Sequence, residues 1–268
     1  MKKRLAVFTL ALTLILSLAA CGGKGDAKTI RVGATPAPHA AILEEVKPLL
    51  EKEGYTLEIV EFDDYIQPNE AVEDGSLDAN YFQHITYMND FNVEHGTHLV
   101  SAAGIHYEPF GIYAGQVSSL ADLPDGAKIA IPNDGTNEAR ALLLLEQEGL
   151  IKIKEGVGLS ATKTDIAENP HNFDIYEVEA RLTPTVLQDV AVSVINGNYA
   201  IDAGLKVSEA LAVEAADGTA ADAYVNVLAV KEGSENNEAI QALVKALQSE
   251  EVRTFIQETY DGAVVPLF

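Results

Sequence analysis

The stretch DANYFQHITY, residues 78–87, concentrates aromatic side chains in a chain that has few of them. The 268 residues include ten tyrosines, eight phenylalanines and no tryptophan. Phe82 and His84 point the same way if the stretch is an extended strand, because side chains alternate along a strand. Tyr87 lies one turn further on if a helix starts there, and Tyr65, in an earlier loop, can reach the same place. Such rings suit a flexible apolar side chain or a sulfur atom; ordinary core packing is the alternative.

The segment KIAIPNDGTNEAR, residues 128–140, has the pattern of a strand, a tight turn and the start of a helix. Thr136 is the predicted N-cap, which places Arg140 in about the first turn. A cation there faces the positive end of the helix dipole, so an anion in front would make the position favourable. Free backbone N–H groups and the guanidinium would both bind that anion, for example a carboxylate. A surface salt bridge is the alternative, and a P-loop is excluded because the Gly-Lys-Ser/Thr ending is missing.

Two asparagines lie where a ligand could use them. Asn196, in VINGNY, ends an apolar strand, and ligands of open α/β sheets bind beyond the carboxyl ends of the strands; Asn-Gly is equally a plain turn signal. Asn226, in AYVNVLAV, interrupts an apolar run, and a buried amide without a partner costs about 1–3 kcal/mol. That partner is either structural or a ligand. With an arginine for a carboxylate and an aromatic slot, these amides indicate an amino acid as the ligand.

Short β-branched runs alternate with helical patterns through most of the chain. Strands are predicted at 29–34, 56–62, 77–82, 98–105, 108–114, 128–132, 174–179, 190–195 and 224–230. Helices are predicted at 38–53, 69–74, 85–94, 136–148, 239–247 and 252–258. This alternation predicts an α/β fold with a largely parallel sheet. If the chain forms two lobes, it crosses between them through extended segments, for which 108–114 and 224–230 are the candidates.

The N-terminus has the pattern of a secretory signal peptide. Three basic residues precede an apolar run, residues 5–20, that is short for a transmembrane helix. The only cysteine, Cys21, follows Leu-Ala-Ala, which resembles the lipobox of bacterial lipoproteins. We therefore expect a signal peptide at 1–20, a lipid on Cys21 and a tether at 21–28. Acyl chains would then anchor the protein at the extracytoplasmic face of the cell membrane.

The mature chain is strongly acidic. Removing the three basic residues of the signal peptide from the 18 in the chain leaves 15 Lys and Arg against 41 Asp and Glu, a net charge of −26. Such a surface repels nucleic acid, whose phosphates need a basic face. We therefore expect no nucleic-acid partner.

Patterns for an enzyme are missing and those for a metal site are weak. The chain has no G-x-S-x-G and no H-E-x-x-H, and its cysteine is expected at the lipid anchor, so we predict neither an enzyme nor a cofactor. Capture of a metal ion is an alternative, because four histidines fall within 23 residues and histidine is a common zinc ligand. This set comprises His84, His95, His98 and His106, with Glu94 and Glu108 nearby. The pair His95-x-x-His98 spans a predicted turn at Gly96 and lacks helical i, i+4 spacing, so we predict no metal in the site.

Several of these segments together resemble the NlpA/MetQ family, the methionine-binding lipoproteins of ABC importers. The matching segments are DANYFQH at 78–84, EFDDYIQPN at 61–69, IPNDGTN at 131–137 with Arg140, LLLL at 142–145 with GLIK at 149–152, and YVN at 224–226. The resemblance extends from about Thr29 to the C-terminus. It implies a type II periplasmic-binding-protein fold, with two α/β lobes and a ligand cleft between them. Residues 29–109 plus 221–268 would form lobe I, and 110–220 would form lobe II.

The resemblance also implies roles for individual residues. Tyr65, Phe82, His84 and Tyr87 would form the side-chain pocket, Arg140 the carboxylate clamp, and Asn137, Asn196 and Asn226 the rest of the binding site. The expected ligand is methionine, with L-methionine first and D-methionine or a methionyl dipeptide as alternatives. The expected protein partners are an ABC permease and its ATPase.

Overall fold

The computed structural model describes residues 28–215 and 218–268, and the side chains in all but 218–220 of these. The predicted signal peptide at 1–20, the lipidated Cys21 and nearly all of the tether at 21–28 lie outside the described residues. In the two described ranges, every helix is too short or too polar to cross a bilayer.

Strands and helices alternate along the chain. The first part contains β1 (Thr29–Ala34), α1 (Ala41–Lys52), β2 (Thr56–Glu61), α2 (Gln67–Glu73), β3 (Ala79–His84), α3 (Ile85–His95) and β4 (Leu99–Tyr107). The middle part contains β5 (Gly111–Ala114), β6 (Lys128–Pro132), α4 (Gly135–Gln147), β7 (Lys152–Ile153), β8 (Ile166–Glu168), β9 (Asp174–Val178), β10 (Val192–Ile195), α5 (Gly197–Asp202) and β11 (Ala212–Val213). The last part contains α6 (Gly218–Ala223), β12 (Asn226–Lys231), α7 (Glu238–Leu247), α8 (Glu250–Tyr260) and β13 (Val265–Pro266). The predicted α/β class is confirmed.

Two large sheets organise the described residues. The six-stranded sheet has the order β13-β4-β12-β3-β1-β2, and the five-stranded sheet has the order β11-β5-β10-β6-β9. Strand β1 runs parallel to β2 and β3, and β6 runs parallel to β9 and β10. Strands β12 and β5 are antiparallel to their neighbours. The expectation of largely parallel sheet is therefore wrong. The chain reaches β5 and β12 from the other sheet, so no crossover connection within one sheet places these strands parallel to their neighbours.

The chain passes between the sheets twice. It leaves the six-stranded sheet after Tyr107 and enters the five-stranded sheet at Gly111; it leaves again after Val213 and returns at Asn226. We call residues 108–110 the first crossing and 214–225 the second crossing. The predicted crossing at 108–114 contains the first of these. The predicted crossing at 224–230 is mostly strand β12, because the apolar run there is a central strand of the sheet.

Each large sheet has its own apolar core. The first core includes Ile30, Val32, Leu43, Leu228 and Leu243, and the second includes Ile112, Ile129, Ile131, Leu142 and Val194; all of these side chains are buried. In α1, the four buried residues are spaced as one helical face, at positions 42, 43, 46 and 50. Pro48 lies on the exposed face, where water can satisfy the carbonyl that the proline leaves free.

The segment before α1 differs from the expected helix at 38–53. Residues Pro36–Ala40 form an irregular turn in which Ala37 is extended, and the regular α-helix begins at Ala41. This turn buries His39, which is fully inaccessible to solvent. It thereby directs an imidazole toward the edge of the sheet where the candidate site lies.

Candidate functional site

A pocket lies between the two large sheets, at the carboxyl ends of β3, β4, β6 and β10. It is lined by Tyr65, Phe82, Gln83, His84, Tyr87, Glu108, Asn137, Arg140, Asn196, Gly197, Asn198 and Asn226. All eight residues predicted from the sequence as ligand-binding are among these. The structure adds Gln83, Glu108, Gly197 and Asn198, which the sequence did not single out for this role.

Aromatic rings form one side of the pocket. The Tyr65 ring lies 5.6 Å from Phe82 and 5.6 Å from Tyr87, measured between ring centroids. Tyr199 stacks on the outer face of Tyr65 at 5.0 Å. The Tyr65 hydroxyl donates to Asn198 Oδ1 at 2.6 Å, and the Tyr87 hydroxyl donates to the Tyr65 carbonyl at 3.1 Å. The polar tips are thus engaged, and the ring faces and edges form a slot suited to an unbranched apolar side chain.

His84 has a structural role that the sequence reading missed. It is the N-cap of α3, where its Nδ1 accepts the backbone N–H of Tyr87 at 3.0 Å. The ring proton therefore lies on Nε2, which faces Asn137 Oδ1 at 3.3 Å. Burial, and secondarily the charge of Arg140, lowers the pKa of His84 to about 3. His84 is thus a neutral ring that orders the start of α3 and contributes a polar edge to the pocket.

Helix α4 begins with a different cap from the predicted one. Asp134, rather than Thr136, is the N-cap, because its carboxylate accepts the backbone N–H of Asn137 at 3.0 Å. Arg140 consequently lies in the second turn of the helix. Its side chain is 5% exposed and points into the region between the sheets.

Arg140 already has a carboxylate partner within the protein. Its Nε donates to Glu214 Oε2 at 2.9 Å, its Nη2 donates to Glu214 Oε1, and Nη2 also donates to the Glu108 carbonyl at 2.8 Å. Burial alone would lower the pKa of Arg140, but the Glu214 carboxylate outweighs it and the net shift is upward. Among the described residues, Nη1 has no hydrogen-bond partner. The guanidinium therefore stays charged and retains one free end.

A chain of amides leads from α4 to Asn196. Asn137 Nδ2 donates to Asp134 Oδ1 at 2.8 Å, and Asn196 Nδ2 donates to Asn137 Oδ1 at 2.7 Å. This chain fixes which end of each amide is the acceptor. Asn196 Oδ1 is buried and is the one such side-chain atom without a partner among the described residues. Such an acceptor costs about 1–3 kcal/mol, and an N–H of a ligand would satisfy it.

Glu108, at the first crossing, is the main functional candidate that the sequence reading missed. Its carboxylate is 2.7 Å from His106 Nε2 and 3.3 Å from His39 Nε2, and it also accepts the backbone N–H of Asn198. Gly197, the residue before Asn198, allows this approach, since a Cβ there would lie 2.7 Å from the Cβ of Glu108. The sequence signal for a ligand-binding role is an acidic residue directly after β4. From the sequence, Glu108 is considered only as a possible metal ligand.

The two histidines beside Glu108 are neutral donors. Each Nε2 faces acceptor oxygens, those of Glu108 and, for His39, also Asn226 Oδ1, so the ring protons are placed on the Nε2 atoms. Nδ1 of His39 then accepts from Thr35 at 2.8 Å, and Nδ1 of His106 accepts from Tyr81 at 2.5 Å. Burial lowers the pKa of His39 to about 4 and that of His106 to about 3. Burial also raises the pKa of Glu108. In its ionised form the Glu108 carboxylate is held by neutral hydrogen-bond donors.

Asn226 completes this group from the first position of β12. In the sheet it pairs with His84 of β3 on one side and His106 of β4 on the other. Its Oδ1 lies 3.0 Å from His39 Nε2. One half of its amide is thus engaged within the protein, while the side chain lines the pocket.

The histidines of the metal alternative are not brought together. His95 is exposed and stacks on Phe91 with a centroid distance of 4.0 Å, and exposed His98 hydrogen-bonds Glu73. The group whose possible ligand atoms do come within 4.8 Å of one another is His39, His106 and Glu108. A metal ion there would have to displace both Nε2 protons that now face the carboxylate.

The chain matches known proteins over almost its whole length. Residues 30–268 match the family described as NlpA lipoprotein. The methionine-binding lipoprotein MetQ of Bacillus subtilis (strain 168) is 40% identical over 274 residues, covering 99% of each chain. The predicted resemblance is confirmed.

Two solved structures match the fold. Lipoprotein Tp32 from Treponema pallidum is 45% identical, with a TM-score of 0.85 over 90% of this chain and 100% of that one. A nutrient binding protein from Burkholderia cenocepacia, solved bound to methionine, is 42% identical, with a TM-score of 0.85 over 89% of this chain and 100% of that one. The predicted two-lobed binding-protein fold is confirmed, and the chain belongs to the NlpA lipoprotein family.

Proposed function

We propose that this protein is a solute-binding lipoprotein that captures methionine for an ABC transporter. The observation that carries the proposal is a pocket with a free guanidinium end at Arg140, an unpaired buried acceptor at Asn196 and an aromatic slot beside them. A zwitterion with an apolar side chain complements all three. The relatives support the choice of ligand, because one is described as methionine-binding and another was solved with methionine bound.

The head group would bind through both of its charges. Arg140 Nη1 would donate to the ligand carboxylate, a charge-assisted hydrogen bond. The ligand ammonium has three donors, and we assign two of them to Asn196 Oδ1 and the Glu108 carboxylate. Glu108 would be the stronger partner, because an ammonium favours the ionised form of a buried carboxyl group.

The remaining predicted residues would surround these contacts. Tyr65, Phe82 and Tyr87 would enclose the methionine side chain, whose sulfur packs well against aromatic edges. His84 and Asn137 would form the floor between slot and head group, with Asn226 beside Glu108. L-Methionine is our first choice, and D-methionine or a methionyl dipeptide in the same pocket are the alternatives.

The lobes would follow the predicted boundaries. Residues 29–109 plus 221–268 would carry the six-stranded sheet, and residues 110–220 the five-stranded sheet. The two crossings would act as the hinge of closure on the ligand. Two hydrogen bonds that already join the sides support this arrangement: Tyr65 Oη to Asn198 Oδ1, and Tyr199 Oη to the Asp63 carbonyl at 3.0 Å.

The protein would work outside the cytoplasm without chemistry of its own. A lipid on Cys21 would hold it at the cell membrane, and it would deliver ligand to an ABC permease and its ATPase. The twelve residues that line the pocket include no serine, cysteine or lysine to act as a nucleophile. This composition supports a binding role rather than an enzymatic one.

Native mass spectrometry of the form lacking residues 1–21, purified without added ligand, tests the proposal. An adduct with the mass of methionine supports the site and the ligand class together, and chiral analysis of the released ligand separates L- from D-methionine. A dipeptide adduct would change the ligand. A protein that is free of adduct and gives no heat with added methionine would overturn the proposal.

Arg140→Ala tests the carboxylate contact in the same protein. We expect methionine affinity to fall at least about tenfold, because a hydrogen bond between charged groups is worth about 1.5–3 kcal/mol. Arg181→Ala is the matched control, since Arg181 is exposed and pairs with Glu179 on the surface. Unchanged affinity in Arg140→Ala would refute the clamp.

A further inference from the structure

Glu214 holds one complete edge of the Arg140 guanidinium. An arginine has five N–H donors, one on Nε and two on each terminal nitrogen. Glu214 accepts from Nε and from Nη2, and the Glu108 carbonyl accepts the second hydrogen of Nη2. Three donors are thereby used, and the two that remain are both on Nη1. The pairing therefore determines which end of the guanidinium is available to a ligand.

Aromatic rings lie against the guanidinium as well. Its central carbon lies 4.1 Å from the centroid of the Tyr224 ring and 4.9 Å from that of Phe110. With these rings beside it and Glu214 along one edge, the group has little freedom to rotate. The direction of Nη1 is set before any ligand arrives.

Glu214 also ties this arrangement to the hinge segments. Its Oε1 accepts the Tyr107 hydroxyl at 2.6 Å and the backbone N–H of Phe110 at 2.9 Å. Those two partners flank and end the first crossing, while Glu214 itself begins the second. The carboxylate is 9% exposed, so these contacts lie out of bulk water. One side chain thus connects both crossings to the predicted clamp.

We propose that Glu214 is a positioning residue for ligand binding: it fixes Arg140 through a side-on ion pair so that Nη1 alone meets the ligand carboxylate. This inference rests on the proposed function. Glu214 does not contact the ligand, and its effect is confined to ligands that carry a carboxylate. L-Methioninol keeps the ammonium and the side chain but has a hydroxymethyl group in place of the carboxylate. It therefore separates a loss of the carboxylate contact from a loss of the rest of the binding site.

Glu214→Asp tests the proposal because it keeps the charge but is one methylene too short to span Nε and Nη2 while still reaching Phe110. We expect the affinity for L-methionine to fall about tenfold, within the range of coupling between contacting residues. The affinity for L-methioninol should change less than about threefold on the same grounds. Glu209→Asp is the matched control, since Glu209 is a glutamate of the same part of the chain that is 61% exposed.

A double-mutant cycle distinguishes positioning from a general loss of structure. In an Arg140→Ala background, Glu214→Asp should have no further effect on L-methionine affinity. Additive losses, or equal losses for both ligands, would overturn the proposal. If Glu214→Asp does not fold, Tyr107→Phe removes one donor to the carboxylate and should lower only L-methionine affinity; equal effects on both ligands there would also overturn it.

Binding by the wild-type protein tests the proposed function, and the variants test the role of Glu214. If the wild-type protein does not bind L-methionine, the proposed function is wrong. If it binds L-methionine but every variant keeps the wild-type ratio of the two ligand affinities, the function stands and the role of Glu214 is refuted.

Discussion

Replacing Glu108 with glutamine tests whether the buried carboxylate binds the ligand ammonium. The substitution keeps the shape of the side chain and one oxygen that can accept from the Nε2 protons of His39 and His106. It removes the negative charge. Because those histidines are neutral, the folded protein loses hydrogen-bond strength rather than an ion pair. Ligand binding, by contrast, loses the charge that faces the ammonium.

The expected magnitude follows from that difference. A hydrogen bond to a charged group contributes about 1.5–3 kcal/mol net, and each 1.4 kcal/mol is tenfold in Kd. Methionine affinity should therefore fall by roughly 10- to 150-fold in Glu108→Gln. Isothermal titration calorimetry on the form lacking residues 1–21 measures the change. Glu179→Gln is the control, because Glu179 is an exposed glutamate that does not line the candidate pocket and pairs with Arg181 on the surface.

The pH dependence gives an independent readout. Burial raises the pKa of Glu108 in the folded protein, and an ammonium ligand favours its ionised form. Affinity should therefore be full at high pH and should fall as the pH drops through this raised pKa, earlier than an ordinary glutamate would titrate. His39 and His106, whose pKa values are about 4 and about 3, stay neutral until more acidic conditions. Glu108→Gln should abolish the dependence in this range. Affinity within twofold of wild type, or an unchanged pH profile, would refute the reasoning.

Two further outcomes are expected. Asn196→Ala removes an acceptor that is buried and unpaired among the described residues, but also the Nδ2 bond to Asn137 Oδ1, an oxygen that still faces His84 Nε2. The loss of stability in thermal unfolding should therefore be limited to about one neutral hydrogen bond, roughly 0.5–1.5 kcal/mol, while calorimetry shows methionine affinity about tenfold lower, one hydrogen bond to a charged group; a larger loss of stability with unchanged affinity would contradict this. Dialysis against zinc followed by elemental analysis should leave far less than one zinc per chain, because the Nε2 protons are engaged within the protein, that of His106 by Glu108 and that of His39 by Asn226 Oδ1; stoichiometric zinc would instead favour the metal alternative.

The parts of the site that the sequence predicted are those with a local signature. Phe82, His84 and Tyr87 lie within one short stretch, where strand alternation followed by a helix start brings their side chains to one place. Arg140 follows a strand-turn-helix pattern, and its spacing from the turn is enough to place it near the pocket. The error at the N-cap was two residues, about half a helical turn, and Arg140 still reaches the pocket.

The parts that the sequence did not predict depend on contacts between distant positions. Glu108 is recognisable as a proposed ligand partner only once His39 is seen beside it; His106 is two residues away, but His39 comes from a distant segment before α1. Glu214 lies in an acidic, alanine-rich stretch that looks like a solvent-exposed loop. Only the fold places it against Arg140, 74 residues away. Local pattern gives no access to such a pair.

The unpaired polar atoms and the aromatic slot of the pocket come from different sheets. Arg140 Nη1 and Asn196 Oδ1 belong to elements of the five-stranded sheet, while the aromatic slot begins at the end of β3 in the six-stranded sheet. Glu108 lies on the crossing that joins them. A bound amino acid would therefore bridge both sheets with its head group and side chain. Because Glu214 links the two crossings to Arg140, the proposed ligand contacts and the proposed hinge would form one connected group. A change in either should therefore alter both affinity and closure.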